Sequence, residues 1–467
     1  MHKEHTDRVA GIVAQVRANA DGKRIKIYHG SSNSTRVPDF TGRHVVDTSG
    51  LRHIIEVNAT EQFVLVEPSV QMDQLVDATL EYGLVPPVVM EFPGISVGGG
   101  VQGGAAESAS FIYGGFHETA LEYEIVLGDG SVVQVSPDTN PDLFWGTACS
   151  YGSLGILTLV KLRLVPATPY VKLTYHRTTS NEHALQVLDQ AVNRQGIDFI
   201  DGILYSPQLG TIMTGHYAVA ADGPVSTFNN ATDEWFYVHA KNIVTKHQEY
   251  TEYIPIRDYL FRYDRGAFWV GRHVFSYLKL PFSKYLRTKW DRVLRTRFLY
   301  RAVQKTNLSQ QFFAQDIFMP RSQAPAFMEY IIPTANIWPL WLLPMRPHTE
   351  QLDLFGLSFP AADYVLNFGV WGHPKTKSFQ QFKQLNRDIE TQLLRLGARK
   401  TLYAHSYYPK NEFWQIYNRP QYETLRAKYH ADGIFEDVYD KVTVTQEYKG
   451  SIWAAIGKHF VKKLHRK

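Results

Sequence analysis

The sequence predicts an α+β protein built from two unlike halves. Three observations carry that reading. From Lys23 to about Pro166, short β-branched runs alternate with glycine turns. After about Pro169, longer helical stretches separate the strands. At 467 residues the chain also exceeds one ordinary hydrophobic core, so two domains are expected.

Taken in order, "DRVAGIVAQVRANADG" sets Val9, Ile12, Val13 and Val16 at helical spacing, with Gly22 as a stop. The runs "RIKIYHG", "HVVDTSG", "HIIEVNAT", "FVLVEPS", "YEIVLGDGSVVQVSP" and "LGILTLVKLRLVPAT" read as strands. The "GDGS" inside the fifth is a hairpin turn, with Gly128 or Gly130 at positive φ. One amphipathic helix interrupts them. It places Met72, Leu75, Val76, Thr79 and Leu80 on one face, with Gly83 as its cap. In the second half, "YVKLTYHR", "GILYSP" and "GTIMTGHYA" are strands. Residues 277–305 are basic and aromatic and read as a solvated helix face with a few buried rings, or as a surface meeting anionic lipid. The tail 451–467 sets Ile452, Trp453, Ile456, Phe460 and Leu464 on a stripe opposite lysines and arginines. That pattern suits packing on the body or lying on a membrane surface.

Composition narrows the function classes. Hydrophobic content of 44% and charged content of 20% describe a soluble globular chain. A lone cysteine, Cys149, excludes a disulfide framework and a thiolate metal cluster, and it reads as a small buried thiol. No apolar run reaches about 18 residues, so no spanning helix is expected. Sequons at Asn33, Asn58, Asn230 and Asn307 follow no secretory leader and are read as incidental. The expected location is intracellular, soluble or peripheral on a membrane. A net charge of +4 without a recognised motif gives no support to nucleic-acid binding. No metal site is expected.

The stretch "EFPGISVGGGVQGG", residues 91–104, contains a literal G-x-G-x-x-G at Gly98, Gly100 and Gly103. A dinucleotide fingerprint needs a strand before it and a helix after it. Here proline clusters precede it and another small-residue loop, "AAESASFIYGGF", follows, so the Rossmann reading fails on context. A long loop lying against a cofactor pyrophosphate fits better, its glycines admitting close approach and its amides forming an anion nest. Two more such loops occur, "HGSSNSTR" after a strand and "ACSYGSLGI" before one.

Together these loops resemble the PCMH-type FAD-binding domain of the vanillyl-alcohol oxidase superfamily. The resemblance implies two α+β subdomains holding FAD, then a sheet-plus-helices substrate cap, with the C-terminal segment returning to the flavin domain. The implied boundaries are 1–168, 169–400, 401–450 and the tail 451–467. It also implies pyrophosphate contact at Gly30, Ser31, Ser32, Asn33, Ser34 and Thr35. Ser96, Val97, Gly98, Gly99, Gly103, Gly104, Glu107, Ser108, Tyr113 and Gly114 would run along the isoalloxazine and phosphates. Tyr151, Gly152, Ser153, Gly155 and Ile156 would lie near the adenosine. Many members link the flavin through a first-loop histidine. Asn33 stands at that place, so the FAD is expected to be non-covalent.

The distal segments "DFIDGILYSP", "EYIPIRDYLFRYDRGAFWV", "IWPLWLLP" and "TLYAHSYYPKNEFWQIYN" resemble the Δ24-sterol reductase family. That resemblance implies NADPH-driven reduction of an isolated carbon–carbon double bond in a sterol or related lipid. Such an alkene has no carbonyl to polarise it, so an acid must act with the hydride in a dry, aromatic-walled pocket. Tyr403 or Tyr407 is the expected donor or relay, Glu412 or His405 the orienter, with Trp338 and Trp341 in the wall. Arg257, Asp258, Arg262 and Arg265 read as a phosphate clamp or as a helix ion-paired through Asp258 and Asp264. The rival functions are an FAD oxidase of an alcohol or lactone using O2, a flavin-dependent double-bond isomerase, and a lipid-binding protein with a vestigial flavin site.

Overall fold

The computed structural model describes residues 2–19, 21–30, 39–306, 312–348, 354–355, 359, 362–376 and 378–444. The expected contacts at Ser31, Ser32, Asn33, Ser34 and Thr35, and the tail 451–467, lie outside these residues.

The first half carries a five-stranded antiparallel sheet. Across it run Ile54–Asn58, Phe63–Val66, Ile156–Arg163, Ala120–Val126 and Val132–Val135. Gly130 takes φ 79 in the hairpin turn, where a side chain would be strained. Gly128 serves a different need. A Cβ there would collide with the carbonyl of His430, so glycine lets the C-terminal chain lie against this hairpin. Beside the sheet, Ile25–Tyr28 pairs in parallel with His44–Asp47. The C-terminal chain returns here too, the Ile25 amide donating to the Ile434 carbonyl at 2.7 Å.

The N-terminal helix His2–Arg17 buries Val9, Ile12 and Val16, as the periodicity predicts. Its first turn is fixed by charge. His5 Nδ1 lies 2.7 Å from Glu67 Oε1 and Nε2 lies 3.1 Å from Glu124 Oε1. Burial opposes the charged ring. Hydrogen bonds to the two carboxylates outweigh it and lift the His5 pKa to about 9. A raised folded-state pKa gives stability that is complete below the unfolded value of about 6.5 and is lost as pH rises through about 9. Amide exchange in residues 2–17 is therefore expected to quicken between those pH values, and His5→Ala to remove the dependence.

The second half is an eight-stranded antiparallel sheet. Its order is Glu249–Pro255, Tyr170–Thr178, Leu209–Ala218, Phe199–Ser206, Leu340–Met345, Val365–Gly372, Phe313–Pro320 and Arg399–Lys400. Side chains alternate between its faces. Ile200, Leu204, Leu340, Leu342, Phe368, Val370, Phe313 and Ile317 face the rear and pack on helices Asn181–Val192, Ala324–Ala335 and Phe379–Arg395. The intervening residues Phe199, Ile203, Trp341, Leu343 and Trp371 join the core shared with the first half. Both faces are thus covered, and every residue of Val365–Gly372 is buried.

Three local readings are corrected. The glycine stretch is not all loop, because Val97–Gly103 is a short helix capped by the Ser96 hydroxyl. The basic aromatic segment is not one helix. It breaks into Lys284–Lys289, a 3-10 turn Asp291–Val293 and Thr296–Thr306. Asp258 and Asp264 are not the main partners of the nearby arginines. Arg257 pairs with Asp77, Arg265 with Asp291, and Arg262 with Asp201 and Glu107. Among the described residues no helix is long and apolar enough to cross a membrane.

Candidate active site

Two arrangements stand out, a small-residue cradle in the first half and a cluster of acids between the halves. In the cradle, the Cys149 amide donates to the Val101 carbonyl and the Tyr151 amide to that of Gln102, both at 3.2 Å. The Tyr151 hydroxyl donates to the Gly103 carbonyl at 3.1 Å. A Cβ built on Gly152 would lie 3.2 Å from Ile27 Cδ1 and 3.5 Å from Gln102 Oε1. Segments leading into all three small-residue loops therefore meet at Gly152. The turn that achieves this is left-handed at Cys149, Tyr151 and Gly152, with φ of 57, 56 and 75°.

The amides of the S-V-G-G element do not form an open anion nest. Val97 donates to Val70, Gly98 to Pro68 and Gly99 to the Ser96 hydroxyl. Gly98 instead admits Pro68, and Gly100 admits Met90 and Phe116. The space lies one turn later, where a Cβ on Gly103 would meet nothing within 4 Å and Gly104 takes φ 67°. Lys441 supplies charge here. Its ammonium donates to the Tyr151 carbonyl, and with burial it lowers the His29 pKa. No motif in the sequence marked Lys441. The open space at Gly103, with the Lys441 ammonium near Gly152, fits a pyrophosphate. Gly30, Gly103, Gly104, Tyr151, Gly152 and Lys441 are the described residues that would hold FAD there.

The acid cluster rests on the front face of the eight-stranded sheet. Register sets Asp316 opposite Gly369 and Phe318 opposite Asn367. The Tyr403 hydroxyl donates to Asp316 Oδ2 at 2.6 Å and Asn367 Nδ2 donates to Oδ1 at 3.1 Å. Burial raises the Asp316 pKa to about 6, even against the hydrogen bonds from Tyr403 and Asn367. Burial and the Asp316 charge push the Tyr403 phenol well above its usual range, so it keeps its proton. From the first half, burial and the Glu107 charge push Glu91 up to about 8. Tyr300 feels both Glu91 and Asp316. Glu91, Tyr300, Asp316 and Tyr403 lie deep in the protein yet each keeps accessible surface, as residues lining an interior space do. Phe268, Trp341 and Trp371 pack beside them with ring centroids 4.5–5.6 Å apart.

The remaining sequence-derived candidates fall elsewhere. Tyr407 is buried against Phe382 in the rear core, its hydroxyl without a partner among the described residues. Glu412 pairs with Arg387 at 2.7 Å. The His405 carbonyl accepts from Lys400 at 2.8 Å. The carboxylate partner of Tyr403 is Asp316. Trp338 packs at the edge of the rear core, whereas Trp341 donates to Asp201 Oδ2 at 3.1 Å. Glu107 and Ser108 are buried where the halves meet, Glu107 on Arg262 and Ser108 accepting from Tyr259 at 3.2 Å. The Tyr113 carbonyl accepts from Arg346, and Gly114 ends that short turn at φ 76°. Ser153, Gly155 and Ile156 are buried as the loop enters its strand. The Cys149 sulfur lies 3.9 Å from His117 Nδ1, buried beside Gly104.

Residues 3–136 match the family model described as FAD binding domain. The human Delta(24)-sterol reductase is 29% identical over 459 residues, covering 94% of this chain and 86% of that protein. The Arabidopsis thaliana Delta(24)-sterol reductase is 28% identical, covering 94% and 84%. The Caenorhabditis elegans Delta(24)-sterol reductase homolog is 26% identical, covering 94% and 87%. This chain is a homologue of the Delta(24)-sterol reductases. At 94% coverage, the likeness to the Delta(24)-sterol reductases runs through both halves. The FAD-domain match ends before the Cys149–Gly152 turn and Lys441, which the fold adds to the cradle.

Proposed function

We propose that this FAD-dependent oxidoreductase reduces an isolated side-chain double bond of a sterol or related isoprenoid, with NADPH as electron donor. The observation that carries the reading is the Tyr403–Asp316 pair set among tryptophans, facing a second buried acid across the two halves. Non-covalently bound FAD supplies the hydride, which NADPH replenishes.

The chain's own task is the proton. One alkene carbon receives the hydride and the other a proton, so NADPH, one proton and the alkene give NADP+ and the saturated side chain. Tyr403 is the donor on this reading, held by Asp316. Glu91, neutral below about pH 8, is the proton reservoir. The ring faces of Trp341 and Trp371 stabilise positive charge developing at the more substituted carbon and exclude water.

On the same reading the domains divide at 1–168, 169–400 and 401–450, with a tail at 451–467. Exposed Tyr277, Leu280 and Tyr285, at 53, 37 and 70% accessibility, support contact of this segment with a lipid surface. The test is anaerobic. The flavin is bleached with NADPH and a Δ24 sterol is added. Recovery of the oxidised band with one saturated sterol per flavin supports the proposal. Recovery only on admitting air, with peroxide formed, points to an oxidase and refutes it.

A further inference from the structure

A cavity of about 450 Å³ is lined by Arg257, Arg265, Arg292, Arg295, Arg297 and Arg301. Asp73, Asp258 and Asp264 also line it, and Asp77 and Asp291 hold three of the arginines from outside, so six arginines meet five aspartates. Four guanidinium groups are anchored. Arg257 pairs with Asp77 through Nε and Nη2 at 2.6 and 3.0 Å. Arg297 holds both oxygens of Asp73 at 2.7 Å. Arg265 and Arg295 share Asp291 at 2.6 and 2.9 Å. Arg292 and Arg301 are exposed and make no ion pair among the described residues. Like charges gathered in one concavity repel, and among the described residues Arg292 and Arg301 have no carboxylate partner. Forked donors on an anchored frame match the oxygens of a phosphate.

We propose that this cavity binds a phosphate monoester or diphosphate. Resting on the reading above, the group belongs to the dinucleotide reductant. Helix Thr296–Thr306 connects the two sites. Arg297 and Arg301 stand one turn apart in the arginine cavity, while Tyr300 on the same helix feels Glu91 and Asp316. The two sites therefore border neighbouring faces of this one helix, about 60–100° apart round its axis. An extended dinucleotide is long enough to reach round it.

The probe is 2′,5′-ADP, which carries the phosphates without the nicotinamide. Calorimetric titration of the FAD-loaded protein is expected to show binding that weakens with salt. Arg292→Gln/Arg301→Gln is expected to weaken it about tenfold or more. Binding of vesicles containing phosphatidylserine is expected to be the same in both proteins. Unchanged 2′,5′-ADP affinity in the variant overturns the proposal. So does loss of vesicle binding with nucleotide affinity intact, which assigns the arginines to a lipid headgroup. Dithionite-reduced protein separates this from the reductase reading. If alkene reoxidises it normally while 2′,5′-ADP ignores the substitutions, only the phosphate site is wrong. If alkene fails to reoxidise the wild-type protein, the reductase reading falls and the 2′,5′-ADP titration still decides the cavity.

Discussion

Tyr403→Phe is expected to slow alkene-dependent reoxidation of the reduced flavin by about 10²- to 10⁴-fold, the usual worth of a positioned acid. The bleaching of the flavin by dithionite should be unaffected, because that step needs no proton delivered to an alkene. Asp316→Asn should slow reoxidation less, since it keeps a hydrogen-bond acceptor for the phenol but loses the charge. The rate should also fall as pH rises through about 8, where Glu91 gives up its proton, and Glu91→Gln should remove that limb. Rapid-mixing absorbance of the flavin band reads all three variants. A Tyr403→Phe protein that reoxidises at the wild-type rate would remove the tyrosine from the chemistry. Tyr407→Phe is the control. It removes a buried hydroxyl packed beside Phe382 in the rear core and should leave the rate unchanged.

Arg262→Met is expected to destabilise the protein by about 3–5 kcal/mol, the cost of breaking a buried ion pair from one side. Its guanidinium Nη2 lies 3.0 Å from Asp201 Oδ2 and 3.4 Å from Glu107 Oε1. Tyr259 and Tyr263 stack over it at 4.2 and 4.6 Å from the ring centroids. Tyr263 and Trp341 also donate to Asp201, so removing the cation strands a carboxylate whose other partners are neutral. Glu107 belongs to the first half and Arg262 to the second, so the loss falls on the seam between them. Denaturant unfolding with separate flavin and tryptophan signals should show the seam opening before either sheet melts. Arg262→Met/Asp201→Leu should recover part of the loss. If the single variant unfolds like wild type, the triad contributes nothing to the seam.

Local pattern carried much of the fold. Period-two runs such as "YEIVL" and "LGILTLVKLRL" became strands, and the Val9–Ile12–Val16 spacing became a buried helix stripe. What the sequence hid was set by register and return of the chain. Asp316 meets Tyr403 across 87 positions because two strands and a loop align them. Lys441 reaches the Tyr151 carbonyl across 290 positions. Glu412 looked like an orienter because it is near Tyr403 in sequence. Helix Lys410–Ile416 turns it toward Arg387 instead. Glu91 was invisible as an acid because its pKa comes from a burial that only the assembled halves create.

The strict two-sidedness of Val365–Gly372 has an evolutionary corollary. Asn367 and Trp371 look one way while Phe368 and Val370 look the other. Exchanging odd-numbered residues here alters the front face, where Asn367 holds Asp316, without disturbing the helices behind. Adding or deleting a single residue would send every side chain to the opposite side, so this strand can drift in composition but not in length.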